Sequence, residues 1–149
     1  MMISTRGRYA LLVLLDIAER QSGGYVPLKC SARRQDISKK YLERIVKLPG
    51  ISGLLEAKGG KGGGYRLSKD PSEISAGEVI RAAEGSICPV TCLSDGGVPC
   101  AYGGSCALMP LWKGLESVIC GYLDGVTLQD IIDGKTAETA GCGPVDKKI

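Results

Sequence analysis

The sequence predicts a mainly α-helical fold carrying one small β-hairpin, an α+β arrangement in which the hairpin is an appendage to helices. Three observations predict it. Apolar residues recur at spacings of three and four over residues 4–20, 38–48, 72–84 and 108–123. Only "GLLEA" at 53–57 and "GYRLS" at 64–68 read as strands, and they flank "KGGKGG", a glycine-rich stretch suited to a turn. The chain has 149 residues, 44% of them hydrophobic and 23% charged, which suits one soluble domain with an appendage. With no Phe and a single Trp112, aliphatic side chains must build the core.

Residues 4–20, "STRGRYALLVLLDIAER", read as a helix apolar nearly all round at its centre, and so buried between other elements. "QSGGYVP" ends it. "LKCSARRQ" at 28–35 makes a short basic helix, and "DIS" supplies a break in which Ser38 is the natural N-cap of the next helix and Ile37 a hydrophobic staple. In "KKYLERIVKL", Leu42, Ile45 and Val46 form one stripe, with Lys39, Lys40, Glu43, Arg44 and Lys47 around the rest. Pro49 and Gly50 are expected to stop that helix. The hairpin of 54–68 follows, with a positively charged tip, and then the amphipathic helix of 72–84, with Ser75 or Ala76 near its start.

Beyond a cysteine-rich loop, Leu108, Leu111, Trp112, Leu115, Val118, Ile119, Tyr122 and Leu123 lay a wide apolar stripe along one long helix. A second copy of the chain is the economical cover for it, since a closed twofold dimer presents the stripe to itself. Packing of part of the stripe on the first helix of the same chain is the alternative. Residues 133–149 are polar and rich in small residues, and mobility is expected there.

The apolar run "ALLVLL" is too short for a secretion signal, since Asp16 closes it, and no segment is long and apolar enough to span a membrane, so a cytoplasmic protein is expected. In that reducing setting seven cysteines are poorly explained as disulfides. Metal binding or redox sensing gains weight against simple packing of small thiols, the plain reading for Cys30, Cys120 and Cys142.

Charge divides the chain. Residues 1–70 hold fourteen Lys and Arg against six Asp and Glu, a balance of +8, and residues 71–149 a balance of −5. Such asymmetry points to a polyanion partner for the first half. "GGKGGGY" fails as a phosphate-binding loop, because Leu55 and Gly62 stand where Gly and Ser or Thr are needed, and it fails as a dinucleotide fingerprint at Tyr65. As a hairpin tip it lets backbone approach a nucleic acid while Lys58 and Lys61 supply charge.

Helix, short helix, basic helix and basic hairpin is the order of a winged helix-turn-helix, whose second motif helix enters the major groove of double-stranded DNA. Ser38, Lys39, Lys40, Tyr41, Glu43 and Arg44 are the candidates to reach base edges. Arg6, Arg8, Lys58, Lys61 and Tyr65 complete the expected contact set, mainly on phosphates. With no histidine, no recognisable acid pair and no nucleotide loop, an enzyme is not expected, nor a small-molecule substrate.

Five motifs in order, "RGRYAL", "ISKKYLERI", "GGGYRLSKD", "SAGEVI" and "LW", resemble the Rrf-two (Rrf2) family of bacterial winged-helix transcriptional regulators, over residues 1 to about 132. The resemblance implies a homodimeric transcription regulator: a winged helix-turn-helix domain at 1–70, a connecting helix at 71–87, the cysteine loop at 88–106, a dimerisation helix and short following helix at 107–132, and a flexible tail at 133–149. In cluster-binding members three loop cysteines hold an iron–sulfur cluster, of the 2Fe–2S or 4Fe–4S kind. Their counterparts here are Cys92, Cys100 and Cys106.

The chain also departs from its relatives. Met109 stands where some members have a ligating histidine, Arg8 where others draw an acidic ligand from the first helix, and Gly59 where an arginine is common in the wing. Cys88, four residues before Cys92, is the obvious substitute ligand. A four-thiolate zinc site on the same cysteines, or metal-free thiols with regulation by redox chemistry or a partner protein, are the competing readings.

Overall fold

The computed structural model describes residues 3–94, 96 and 100–136. Helix α1 (Thr5–Arg20) starts at Ser4, whose hydroxyl accepts from the N–H groups of Arg6 and Gly7, and it buries Val13, Leu14 and Ile17 completely. The all-round apolar centre therefore does what it predicted. α1 is the spine against which α2 (Leu28–Gln35), α3 (Lys39–Val46) and α5 (Ala76–Glu84) pack.

Between α2 and α3 the chain turns at Asp36, a non-glycine residue in the left-handed region at φ 51°. Ile37 tucks partly against the core, as the staple reading requires. Ser38 holds the N-cap position of α3, but its side chain makes no capping bond and is exposed; the turn is closed instead by its carbonyl, which accepts from Tyr41 and Leu42.

α3 ends at Val46, yet Pro49 and Gly50 do not simply stop the helix: Pro49–Ser52 forms a further turn, α4. Proline at a first helical position loses no hydrogen bond that the helix would have made, so it can begin a turn as readily as end one. Gly50 is there for contact, since a Cβ at that position would lie 2.8 Å from the Ala82 Cα on α5.

Strands β1 (Leu55–Lys58) and β2 (Gly64–Leu67) pair antiparallel, with Leu55 opposite Leu67, Glu56 opposite Arg66, Ala57 opposite Tyr65 and Lys58 opposite Gly64. Val26 extends the ladder by exchanging two backbone bonds with Tyr65, at 2.8 and 2.9 Å. The segment read as a plain turn thus contributes a third, short rung. Gly64 makes it possible: at φ 152° its position has no room for a Cβ, which would stand 2.3 Å from the Val26 carbonyl oxygen.

The helix expected from residue 72 starts later. Residues 71–73 form a separate turn capped by Asp70, and α5 begins at Ala76 with the Ser75 hydroxyl accepting from the Glu78 N–H. After the cysteine loop, α6 (Met109–Gly125) has no buried residue at all, whereas α7 (Leu128–Ile132) returns to the core. Leu128 is fully buried and its N–H donates to the Ile74 carbonyl, so the segment after the long helix closes the amino-terminal core. Thr136 ends the described part of the tail, and the mobility expected further on concerns residues outside it.

Candidate nucleic-acid interface and cysteine loop

The predicted DNA-contacting residues lie on two elements and a helix end. On α3, Lys39, Lys40 and Arg44 are exposed, as is Ser38 just before it, and Lys39 pairs with Glu43 at 3.2 Å one turn on. Tyr41 is half-buried, edge-on to Tyr9 of α1 with ring centroids 5.6 Å apart. The opposite stripe of Leu42, Ile45 and Val46 is anchored in the core, so the basic face is rigidly presented.

Beside α3 runs an open groove of about 570 Å³, lined by Ser4, Thr5 and Arg6, by Tyr41, Arg44, Ile45 and Leu48, and by Glu84. Arg6 therefore shares a surface with α3. Arg8 is exposed on α1. Glu84, the last residue of α5, spans the end of this groove: it accepts from the Ser4 N–H at 3.2 Å, the Gly7 N–H at 3.0 Å, the Ser4 hydroxyl, and Arg6 at 3.5 Å. Burial pushes the Glu84 carboxyl up, but the bonds from Ser4 and Gly7 and the Arg6 charge outweigh it and hold the group below the usual range. This knot, invisible as a motif, ties the segment leading into the cysteine loop to the DNA-reading side.

A buried carboxylate joins α1 to α2. Asp16, 3% exposed, accepts two bonds from Arg34 at 2.7 and 2.6 Å, one from the Ser31 hydroxyl at 2.5 Å and one from Arg20 at 3.1 Å. Burial raises its pKa and these donors, Arg34 foremost, bring it below the ordinary value. In the sequence Asp16 reads only as the end of an apolar run, and its spacing of four from Arg20 is the one available signal.

On the wing, Lys58 and Lys61 are exposed, and Tyr65 is half-buried against the core, its backbone held by Val26. Two residues outside the expected set join them. Arg66 bonds Glu56 across the strands at 2.6 Å, and Tyr25 packs its ring under both Arg66 and Lys58.

The loop cysteines split into two environments. Cys92 and Cys100 are exposed, whereas Cys106 and Cys88, the latter in the segment after α5, are half-buried. Cys88 donates from Sγ to Oε1 of Glu116, on α6, at 3.2 Å. That hydrogen bond, and then burial, push the Cys88 thiol above its ordinary range. Cys30 is exposed on α2, Cys120 is half-buried on α6, and Cys142 lies outside the described residues. As a donor set, free thiols on a glycine-rich loop fit a thiolate-held centre. Among the described residues, however, no three cysteine or acidic side chains converge closely enough to hold a metal ion.

Along α6 the apolar stripe faces solvent. Val118 is 70% exposed, Leu111 57% and Leu108 53%, with Leu115 and Tyr122 above 40%. Trp112, Ile119 and Leu123, on the edge of that arc, are half-buried, as are Glu116 and Cys120 beyond them. The helix leans chiefly on α5 rather than on α1, through contacts that include Arg81 with Asp124. The alternative cover, the first helix of the same chain, leaves this arc open.

Comparison with known proteins gives a consistent result. The family model of Rrf2, described as an iron-dependent transcriptional regulator, matches residues 3–134. The chain is 37% identical to the HTH-type transcriptional regulator IscR of Escherichia coli K12 over 135 residues, covering 91% of this chain and 82% of that protein. Its fold matches the solved structure of CymR, titled the global cysteine regulator of B. subtilis, with a TM-score of 0.74 at 33% identity, covering 90% of this chain and 98% of that one. T. potens IscR matches with a TM-score of 0.72 at 29% identity, covering 96% and 94%.

Proposed function

Since the chain belongs to the Rrf2 family of DNA-binding transcriptional regulators, we propose that it binds duplex DNA as a homodimer, and that an iron–sulfur cluster on its cysteine loop sets its activity. The observation that carries this reading is a juxtaposition. The loop bearing Cys88, Cys92, Cys100 and Cys106 connects α5, which Glu84 bonds to the DNA-reading side, with α6, whose apolar arc lies open.

The winged-helix half would bind through the exposed face of α3, with Ser38, Lys39, Lys40, Tyr41, Glu43 and Arg44 in or beside the major groove. Arg6, Arg8, Lys58, Lys61 and Tyr65 would fix register on phosphates and at the wing. Pairing of two α6 arcs, through Leu108, Leu111, Leu115, Val118 and Tyr122 with Trp112, Ile119 and Leu123 at the edge, would set the distance between two recognition helices.

Cys92, Cys100 and Cys106 would hold the cluster, with Cys88 as the fourth candidate. A bound cluster supplies a redox- and oxidant-sensitive centre. For Cys88 to join, its thiol must leave Glu116 and lose its proton, which loosens the link from the loop to α6. The names of the relatives support the reading: the family model is described as an iron-dependent transcriptional regulator, and the relative in Escherichia coli as the HTH-type transcriptional regulator IscR. The second reading, a DNA-binding regulator without a cluster that uses a thiol switch, zinc or a partner protein, is favoured by the Cys88 thiol donating to Glu116.

Mobility shifts on duplex from the protein's own promoter, across a salt series, test the DNA reading. Binding that weakens steeply with salt supports it, and absence of binding at low salt contradicts it.

A further inference from the structure

The wing carries its charge in an arrangement that nothing in the sequence motifs assigns. Residues 56 and 58 of β1 share a face of the ladder with residue 66 of β2, which lies opposite Glu56. On that face the Tyr25 ring takes Arg66 at 4.9 Å and Lys58 at 5.6 Å from its centroid. Both distances are within the range of cation–π attraction. Gly64, opposite Lys58, contributes no side chain that would compete for the space.

Tyr25 is itself placed by backbone. Val26, the next residue, exchanges two hydrogen bonds with Tyr65, so the ring rides on a third rung of the wing and not on a free loop. Arg66 is additionally held by Glu56 at 2.6 Å, which fixes its guanidinium but also cancels its charge locally. Gly59 at the tip leaves the wing's positive charge to Lys58, Lys61 and Arg66, and two of these three rest on one ring.

We infer that Tyr25 is a positioning residue of the DNA interface: its ring holds Lys58 and Arg66 as an ordered pair of cations that the wing presents to the phosphate backbone of a duplex. The inference rests on the DNA reading above. Long basic side chains pay rotamer entropy when they settle on a phosphate, and a ring that orders them beforehand removes part of that cost. Glu56 works in the opposite sense, as a negative charge on the same face that a phosphate must tolerate.

The test is a fluorescence-anisotropy titration of promoter duplex by full-length protein over a potassium chloride series, with wild type, Tyr25→Phe, Tyr25→Ala and Glu56→Gln. Tyr25→Ala is expected to weaken binding about three- to tenfold, the size of one or two surface cation–π contacts. Tyr25→Phe, which keeps the ring, is expected to restore binding to within twofold of wild type. Glu56→Gln, on an exposed pair and so safe for folding, is expected to tighten binding and steepen its salt dependence.

Tyr25→Ala equal to wild type, Tyr25→Phe as weak as Tyr25→Ala, or Glu56→Gln binding no tighter than wild type would each overturn the inference while leaving the DNA reading intact. Wild type that does not bind at low salt overturns that reading, and the inference with it.

Discussion

Oε1 of Glu84 accepts the backbone N–H of Gly7 at 3.0 Å, and a Cβ at position 7 would stand 2.5 Å from that same oxygen. The end of α5 and the start of α1, 77 residues apart in the chain, meet most closely here, and a side chain at position 7 would require the Glu84 carboxylate to shift. The carboxylate sits where the free N–H groups of α1 and its dipole favour negative charge.

Glu84→Gln should lower stability at neutral pH by about 1–2 kcal/mol, the worth of charge-assisted bonds to a helix start. The wild-type carboxyl titrates below its unfolded value, so its contribution is complete above the unfolded carboxyl's pKa of about 4.3 and is lost as pH falls through the lower folded value. Urea unfolding at pH 7 and again near pH 3 checks this: the gap between the two proteins should close in acid. A gap of equal size at both pH values would show that Glu84 acts by shape and not by charge.

Asp16→Asn should be more damaging, because Ser31, Arg20 and Arg34 all aim at the carboxylate and Asp16 is buried. A loss of about 2–3 kcal/mol is expected, below the full cost of breaking a buried pair because Arg34 retains access to water. Thermal unfolding followed by circular dichroism reads it directly, and a change under 0.5 kcal/mol, the size of an ordinary surface substitution, would contradict the structural role given to this network.

Leu111→Glu should leave the fold unchanged, since that side chain is already 57% exposed, and should convert a dimer to a monomer. Sedimentation velocity of the two proteins at the same concentration makes the comparison. A wild-type chain that sediments as a monomer would remove α6 as the dimer helix.

Lys40→Ala removes an exposed cation from α3 that forms no ion pair among the described residues, in contrast to Lys39, which already pairs with Glu43. If Lys40 neutralises a phosphate, the slope of log affinity against log salt should fall by about 0.9. An unchanged slope with lower affinity would move Lys40 from phosphate to base contact.

Much of this was legible beforehand, and the exceptions share a cause. Periodicity located α1, α3, α5 and α6 because a core-facing stripe is a local property of the chain. The Val26–Tyr65 rung, the α4 turn after Pro49 and the burial of Leu128 were not legible, since each depends on a neighbour distant in sequence. The cysteine loop divides likewise. Three thiols could be matched to a role by motif order, but that Cys88 is engaged by Glu116, 28 residues on, required the helix to be in place. Tyr25 and Glu84 were overlooked for the same reason.

Iron and sulfide content test most directly whether the cysteine loop carries a cluster. Protein purified without oxygen should contain iron and acid-labile sulfide in matching amounts, with a broad visible absorption that disappears when Cys92, Cys100 and Cys106 are replaced by Ala. Zinc alone, or no metal even after reconstitution with iron and sulfide, would contradict it.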